Sequence, residues 1–183
     1  RSISRTMPAD WALCYALLQD RTPLAADCGT VCEGRCCRDT GPDSGMLLFP
    51  GEREFLQGRF PETAFAPTAA GGWLLTCSGR CDRRARPLAC RIFPLFPMLG
   101  EDGRIRVRLD PRAFRVCPLA KLTERVRLQP AFVRAVRQTG RILAADDACR
   151  TFLQEQTHEL EQWQRLLGQP GARTPIQRRK AEF

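Results

Sequence analysis

The order of apolar and polar residues predicts helices at both ends of the chain and short strands between them. From Ala9 to Asp20 apolar side chains recur at helical spacing, which predicts an amphipathic helix with Cys14 in the core. After Pro130 the same spacing returns over long stretches, which predicts C-terminal helices. We therefore expect an α+β fold, with these helices packed on an N-terminal half made of short strands and loops.

Short apolar runs in the middle of the chain predict the strands. Residues 45–49 and 72–77 are two such runs, and the Pro/Gly/Ala-rich residues 61–72 predict a loop between them. Residues 105–109 alternate apolar side chains with arginine, which is typical of a strand with one buried face. We expect this strand to pair across a turn at residues 100–103.

The cysteines suggest the chemistry, because the chain of 183 residues contains ten and eight of them fall between residues 28 and 117. Thiolates are soft ligands, and short glycine-containing segments let several of them converge on one centre. Cys14 and Cys149 lie on helical patterns and are expected to be ordinary core or surface thiols, and His158 is expected on a helix surface. The predicted metal ligands are Cys28, Cys32, Cys36, Cys37, Cys77, Cys81, Cys90 and Cys117.

Eight thiols can supply two four-ligand sites, or one cluster with thiols to spare. Neighbouring side chains diverge in an extended backbone, so Cys36 and Cys37 are expected to serve two centres, or only one of them ligates. The only histidine, His158, lies far from the cysteines in sequence, so thiolates dominate any site. Such ligation suits structural zinc and iron–sulfur clusters alike. No carboxylate pair or Ser/His/Asp set assigns catalytic residues.

The segment around Cys90 reads Arg-Pro-Leu-Ala-Cys-Arg-Ile-Phe-Pro from Arg86 to Pro94. This string and the opening group that ends in Cys36 and Cys37 resemble the YkgJ-type cysteine-cluster family, which is described as zinc- or iron-chelating. The family's signature is Arg-Pro-x-x-Cys-Arg-x-Phe-Pro. Its usual Cys-x-x-Cys-x-x-Cys-Cys group appears here with three-residue gaps, so the ligand geometry does not carry over.

A similar cysteine-rich domain occurs in flagellin lysine N-methylases, and this resemblance implies a [4Fe–4S] cluster as the alternative to Zn²⁺. It also implies an accessory role in protein modification, with a protein partner or substrate. The chain shows no glycine-rich S-adenosylmethionine loop, so methyl transfer is not predicted. Arg86 and Arg91 flank Cys90. We expect them to neutralise the negative charge of the thiolates that bind the metal or the cluster.

The formal charge of +9 comes almost entirely from scattered arginines, which gives no specific signal for nucleic-acid binding. No apolar run approaches the roughly 18 residues of a membrane span. Close-set cysteines in a reducing cytosol usually bind metal, so we expect a cytoplasmic protein.

The predicted organisation is a cysteine-cluster metal-binding domain over residues 7–120, a helical segment packed on it over residues 121–170, and a flexible basic tail over residues 171–183. The predicted function is a metal- or cluster-binding module with a structural, redox or accessory role. Two alternatives stay open at this point. One is an enzyme that uses an open metal or cluster position, and the other is a secreted, disulfide-rich protein.

Overall fold

A computed structural model describes residues 8–38, 45–76, 84–122 and 127–166, and these residues form the predicted α+β fold. The α-helices of this described part are α1 Trp11–Leu18, α2 Cys28–Cys32, α3 Glu52–Leu56, α4 Leu88–Ile92, α5 Ala113–Val116, α6 Pro118–Lys121, α7 Pro130–Leu143 and α8 Asp147–Leu166. The strands are β1 Met46–Leu47, β2 Phe65–Pro67, β3 Trp73–Leu75, β4 Leu95–Leu99 and β5 Ile105–Leu109. Short 3₁₀ helices span Arg35–Cys37 and Glu62–Ala64.

The strands form two small antiparallel sheets. In the first, β3 lies between β1 and β2. In the second, β4 pairs with β5 in a register that places Leu95 opposite Leu109 and Leu99 opposite Ile105. The backbone N–H of Gly103 donates to the carbonyl of Gly100 at 2.9 Å, which closes the turn between these strands. The hairpin predicted across residues 100–103 is therefore confirmed.

Part of the predicted loop over residues 61–72 is a strand. β2 occupies Phe65–Pro67 and pairs with β3 along all three residues. Proline has no N–H to donate, and β2 accommodates one because it lies at the edge of its sheet. The Pro/Gly/Ala composition hid this strand, although Phe65 anchors it in the core.

The glycines of the first cysteine group, Cys28–Cys37, are typical of a loop, but this segment is helical. The side chain of Asp27 caps α2 by accepting a 3.1 Å hydrogen bond from the N–H of Gly29. Glu33 and Gly34 then adopt left-handed backbone conformations, with φ of 53° and 67°, which end α2 and start the 3₁₀ helix. A turn at Glu33 and Gly34 therefore separates the cysteines of α2 from Cys36 and Cys37.

The core is centred on β4, whose five residues are all buried. Helices α7 and α8 pack on this strand, and α7 also contacts α1. Gly140 of α7 allows a close approach, because a Cβ atom at this position would lie 2.5 Å from Cβ of Pro97. From α8, the hydroxyl of Thr157 accepts a 2.9 Å hydrogen bond from the backbone N–H of Leu99. Within the described ranges, no helix is both long and apolar enough to cross a membrane.

Candidate metal centre

Five of the eight predicted ligands lie near one another in the fold, and we call them the thiol cluster. Its members are Cys28, Cys32, Cys36, Cys37 and Cys117. Burial is the main cause that raises the pKa of Cys28, and the charges of Asp27 and then of Cys32 and Cys117 raise it further. Thiols from separate parts of the chain therefore interact electrostatically.

Cys117 reaches the cluster because α5 packs against the 3₁₀ helix of the first cysteine group. It occupies the extended residue between α5 and α6, where Pro118 starts the next helix. Burial raises the pKa of Cys117, while hydrogen bonds from the backbone N–H groups of Ala120 and Leu119 oppose the rise. These amide groups provide partners for a thiolate in a partly dry environment.

The sequence predicted that the side chains of Cys36 and Cys37 diverge. They do not diverge, and their Sγ atoms lie 4.0 Å apart. The prediction assumed an extended backbone, whereas the pair belongs to a 3₁₀ helix. The hydrogen bond between the two sulfurs raises the pKa of Cys36 and lowers that of Cys37 to about 6. Two thiolates bound at about 2.3 Å to one tetrahedral zinc ion lie roughly 3.8 Å apart, so the observed separation suits joint ligation of one centre.

Cys90 lies on α4 and lines the same cavity as Cys36 and Cys37. Arg86 lines this cavity too. Its positive charge acts on two thiols of the cluster. Burial raises the pKa of Cys28, and the charge of Arg86 opposes this rise. The hydrogen bond with Cys36 lowers the pKa of Cys37, and the charge of Arg86 lowers it further.

Arg91 has a different set of contacts from those expected for a residue beside Cys90. Its Nε and Nη2 atoms donate to the carbonyls of Arg86 and Arg84 at 2.8 and 2.7 Å. The guanidinium carbon lies 4.5 Å from the ring centroid of Tyr15, and the side chain is buried. Arg91 therefore holds the segment that leads into α4, and a direct role at a bound metal stays a prediction.

Glu52 is an important residue that the sequence analysis missed. It is fully buried, and it accepts hydrogen bonds from the Tyr15 hydroxyl at 2.6 Å, the Leu88 N–H at 2.6 Å and the Phe49 N–H at 3.0 Å. Burial raises the pKa of Glu52, while these hydrogen bonds and the charge of Arg91 lower it. No sequence signal separated this carboxylate from the other acids of the helix.

The remaining cysteines and the histidine lie where the patterns predicted. Cys14 and Cys149 are completely buried in the core, and His158 is exposed on α8 beside Gln162. Cys77 and Cys81 lie outside the described residues, as does the predicted tail over residues 171–183. The cysteines of the described part form no disulfide bonds with one another.

Over the described ranges, no three side chains of Cys, His, Asp or Glu are close enough together to hold a metal ion. A comparison with known protein families, characterised proteins and solved structures found no match to this chain. The resemblance to the YkgJ-type family thus stays a prediction based on the sequence string from Arg86 to Pro94.

Proposed function

We propose that this protein binds zinc or an iron–sulfur cluster through the thiol cluster together with Cys90, Cys77 and Cys81. The observation that carries the proposal is the proximity of thiols from separate chain segments, one at Cys28–Cys37 and the other at Cys117. Cys117 is far from Cys28–Cys37 in sequence, so only the fold can bring the two segments together. Core packing alone does not require it, because four of these thiols are on two short helices that contain no buried residue.

The donor set fits a soft cation. The pKa of Cys37 is lowered, whereas burial and then the charges of Asp27, Cys32 and Cys117 raise the pKa of Cys28, so Cys28 resists ionisation. A bound cation reverses this effect, because it stabilises each thiolate. Zinc would supply a structural crosslink between the segments, and an iron–sulfur cluster would supply one-electron redox chemistry.

The chain's own residues would support such a centre in identifiable ways. Arg86 supplies positive charge near Cys28 and Cys37, which offsets part of the negative charge of an all-thiolate site. Arg91 bonds to the carbonyl of Arg86 and Glu52 to the N–H of Leu88, so both hold the backbone just before Cys90. We assign both of them a positioning role.

We further propose that the protein is a cytoplasmic member of the YkgJ-type family. The support is the nine-residue string around Cys90, together with a set of cysteines that a reducing compartment keeps as thiols. Its role is structural or redox, or accessory to the modification of a partner protein. The flagellin methylase resemblance is the reason for the last of these roles.

Single substitutions at cysteines test the ligand set. Cys37→Ser, Cys90→Ser and Cys117→Ser are expected to lower the metal content of anaerobically purified protein, because serine is a much poorer ligand for soft metals. Cys14→Ala is the matched control, since Cys14 is buried away from the cluster and should keep the full metal content. A variant that keeps full metal loading removes its cysteine from the set.

Loss of metal through misfolding needs a separate measurement. X-ray absorption at the metal edge of the unmodified protein reports the coordinating atoms directly, and we expect sulfur to predominate. Nitrogen and oxygen coordination, or disulfide-linked cysteines in the unreduced protein, would contradict the proposal.

A further inference from the structure

A cavity of about 590 Å³ lies between the thiol cluster and α8. Its walls are largely apolar and aromatic. The aromatic side chains that line it include Phe60, Phe93, Phe96, Phe114, Phe152 and Trp163. The volume is typical of sites for small molecules, which span about 300–1,000 Å³.

The charged groups of this cavity favour an anion. Asp110 is the one acidic residue in its described lining, and its carboxylate is neutralised by Arg112 at 2.8 Å. Arg86 and Arg115 also line the cavity, and because the charge of Arg86 acts on the Cys37 thiolate, Arg115 supplies the positive charge that remains for a ligand. Within the described ranges Arg115 makes no ion pair, and it lies on α5 with its side chain exposed.

A second, basic cleft of about 430 Å³ adjoins the cavity, because Arg115 and Val116 line both. Its other lining residues include Arg35, Arg38 and Lys121, and its described lining contains no acidic side chain. Arg38 pairs with Glu33, and that pair is exposed. The positive charge of the cleft is therefore concentrated at the end of α5 that also borders the apolar cavity.

We infer that the cavity and the basic cleft together form a binding site for a small amphipathic organic anion. The apolar part of the ligand lies among the aromatic side chains, and its carboxylate or phosphate lies at Arg115. Trp163 supports this arrangement, because it lines the cavity while 45% of its surface is exposed in the unbound chain. A ligand in the cavity would cover that surface. The site goes beyond the proposed metal centre, and it does not depend on which metal is bound.

The intrinsic fluorescence of Trp163 tests the inference. In the double variant Trp11→Phe/Trp73→Phe, Trp163 is the only tryptophan of the full chain. Titration of the purified, metal-retaining protein with sodium decanoate and with decyl phosphate, both kept below micelle formation, should give a saturable change in emission. Isothermal titration calorimetry on the unmodified protein provides the same binding curve if the double variant does not fold.

Arg115→Gln should weaken binding of the anion by about tenfold, the effect of one charge-assisted hydrogen bond. The matched control is Arg141→Gln on the exposed side of α7, which should bind like the unmodified protein. Decanol, the uncharged analogue, should bind more weakly and should be insensitive to Arg115→Gln. The relative affinities of decanoate and decyl phosphate then show which head group the site prefers.

Three results would overturn the inference. They are the absence of saturable binding for both anions, equal affinities for decanol and decanoate, and equal affinities for the Arg115→Gln and Arg141→Gln variants. Metal content is measured on the same samples. A protein that binds the anion without metal would refute the proposed metal centre alone, and a metal-loaded protein that binds no anion would refute this site alone.

Discussion

The hydroxyl of Tyr15 donates a 2.6 Å hydrogen bond to Oε1 of Glu52, and both side chains are buried. The same oxygen accepts from the backbone N–H of Leu88, two residues before Cys90. This one carboxylate thus connects α1, α3 and the start of α4. A polar network of this kind in a dry environment fixes the position of its members, and here it fixes the helix that holds Cys90.

Removal of the Glu52 carboxylate should destabilise the fold strongly. Glu52→Ala leaves the buried donors of Tyr15, Leu88 and Phe49 without their acceptor, which should lower the free energy of unfolding by about 3 kcal/mol or more. Urea denaturation measures the change. Glu54→Ala is the control on the same helix, because Glu54 is exposed, and it should alter stability by less than about 0.5 kcal/mol. Equal stabilities of the two variants would show that the network is not important.

The pH dependence of stability should carry a signature of Glu52. Burial raises the pKa of this carboxyl in the folded protein above its value of about 4.3 in an unfolded chain. The folded state therefore binds its proton more tightly, so the contribution to stability is full below the unfolded pKa and is lost as the pH rises through the folded pKa.

The unmodified protein should therefore lose stability relative to Glu52→Gln as the pH rises from about 4. Urea denaturation at a series of pH values measures this difference, and glutamine removes the titration. A difference that stays constant or grows with pH would contradict the raised pKa.

Alanine at Gly140 should destabilise the protein, although alanine usually stabilises a helix by about 1 kcal/mol relative to glycine. The new Cβ would lie 2.5 Å from Cβ of Pro97 and 3.0 Å from Cγ2 of Ile105, so α7 must move away from the hairpin. We expect a loss of about 1–3 kcal/mol in thermal or urea unfolding. Gln138→Ala, at an exposed position of α7, should be neutral or stabilising. Stabilisation by Gly140→Ala would mean that α7 and β4 are not closely packed.

The parts of the fold that the sequence predicted are those that depend on local periodicity. The long helix α7 and the β4–β5 hairpin have clear apolar patterns, and the turn at Gly103 is marked by its glycine. Strand β2 and the helical form of the first cysteine group were not predicted. β2 pairs with the next strand, β3, across residues 68–72, but its Ala and Pro residues give no alternating apolar pattern, and a left-handed turn at Glu33 enables the second.

The candidate site was predictable only as a set of residue types. Spacing grouped the cysteines, whereas Cys117 approaches the first group only because α5 packs against its 3₁₀ helix. The roles of Arg91 and Glu52 depend on which way each side chain points from its helix. A glutamate in a charged helical segment has the same local pattern whether it faces solvent or the core, so Glu52 could not be found from sequence.

Thiol labelling should divide the cysteines into two classes. Cys14 and Cys149 are fully buried, and burial raises the pKa of both, that of Cys14 to about 12, so iodoacetamide should not modify them in the folded protein. Cys37 is only partly buried and its pKa is lowered to about 6, so it should be modified once a chelator has removed bound metal. Peptide mass spectrometry identifies the modified sites. Rapid labelling of Cys14 without unfolding would contradict its core position.

Native mass spectrometry of the anaerobically purified protein tests the central claim most directly. The folded protein should exceed its denatured mass by a zinc ion or by an iron–sulfur cluster, and the denatured chain should show all its cysteines as thiols. A folded protein whose mass equals that of the bare chain, or a denatured chain lighter by the hydrogens lost to disulfide bonds among the clustered cysteines, would contradict the account.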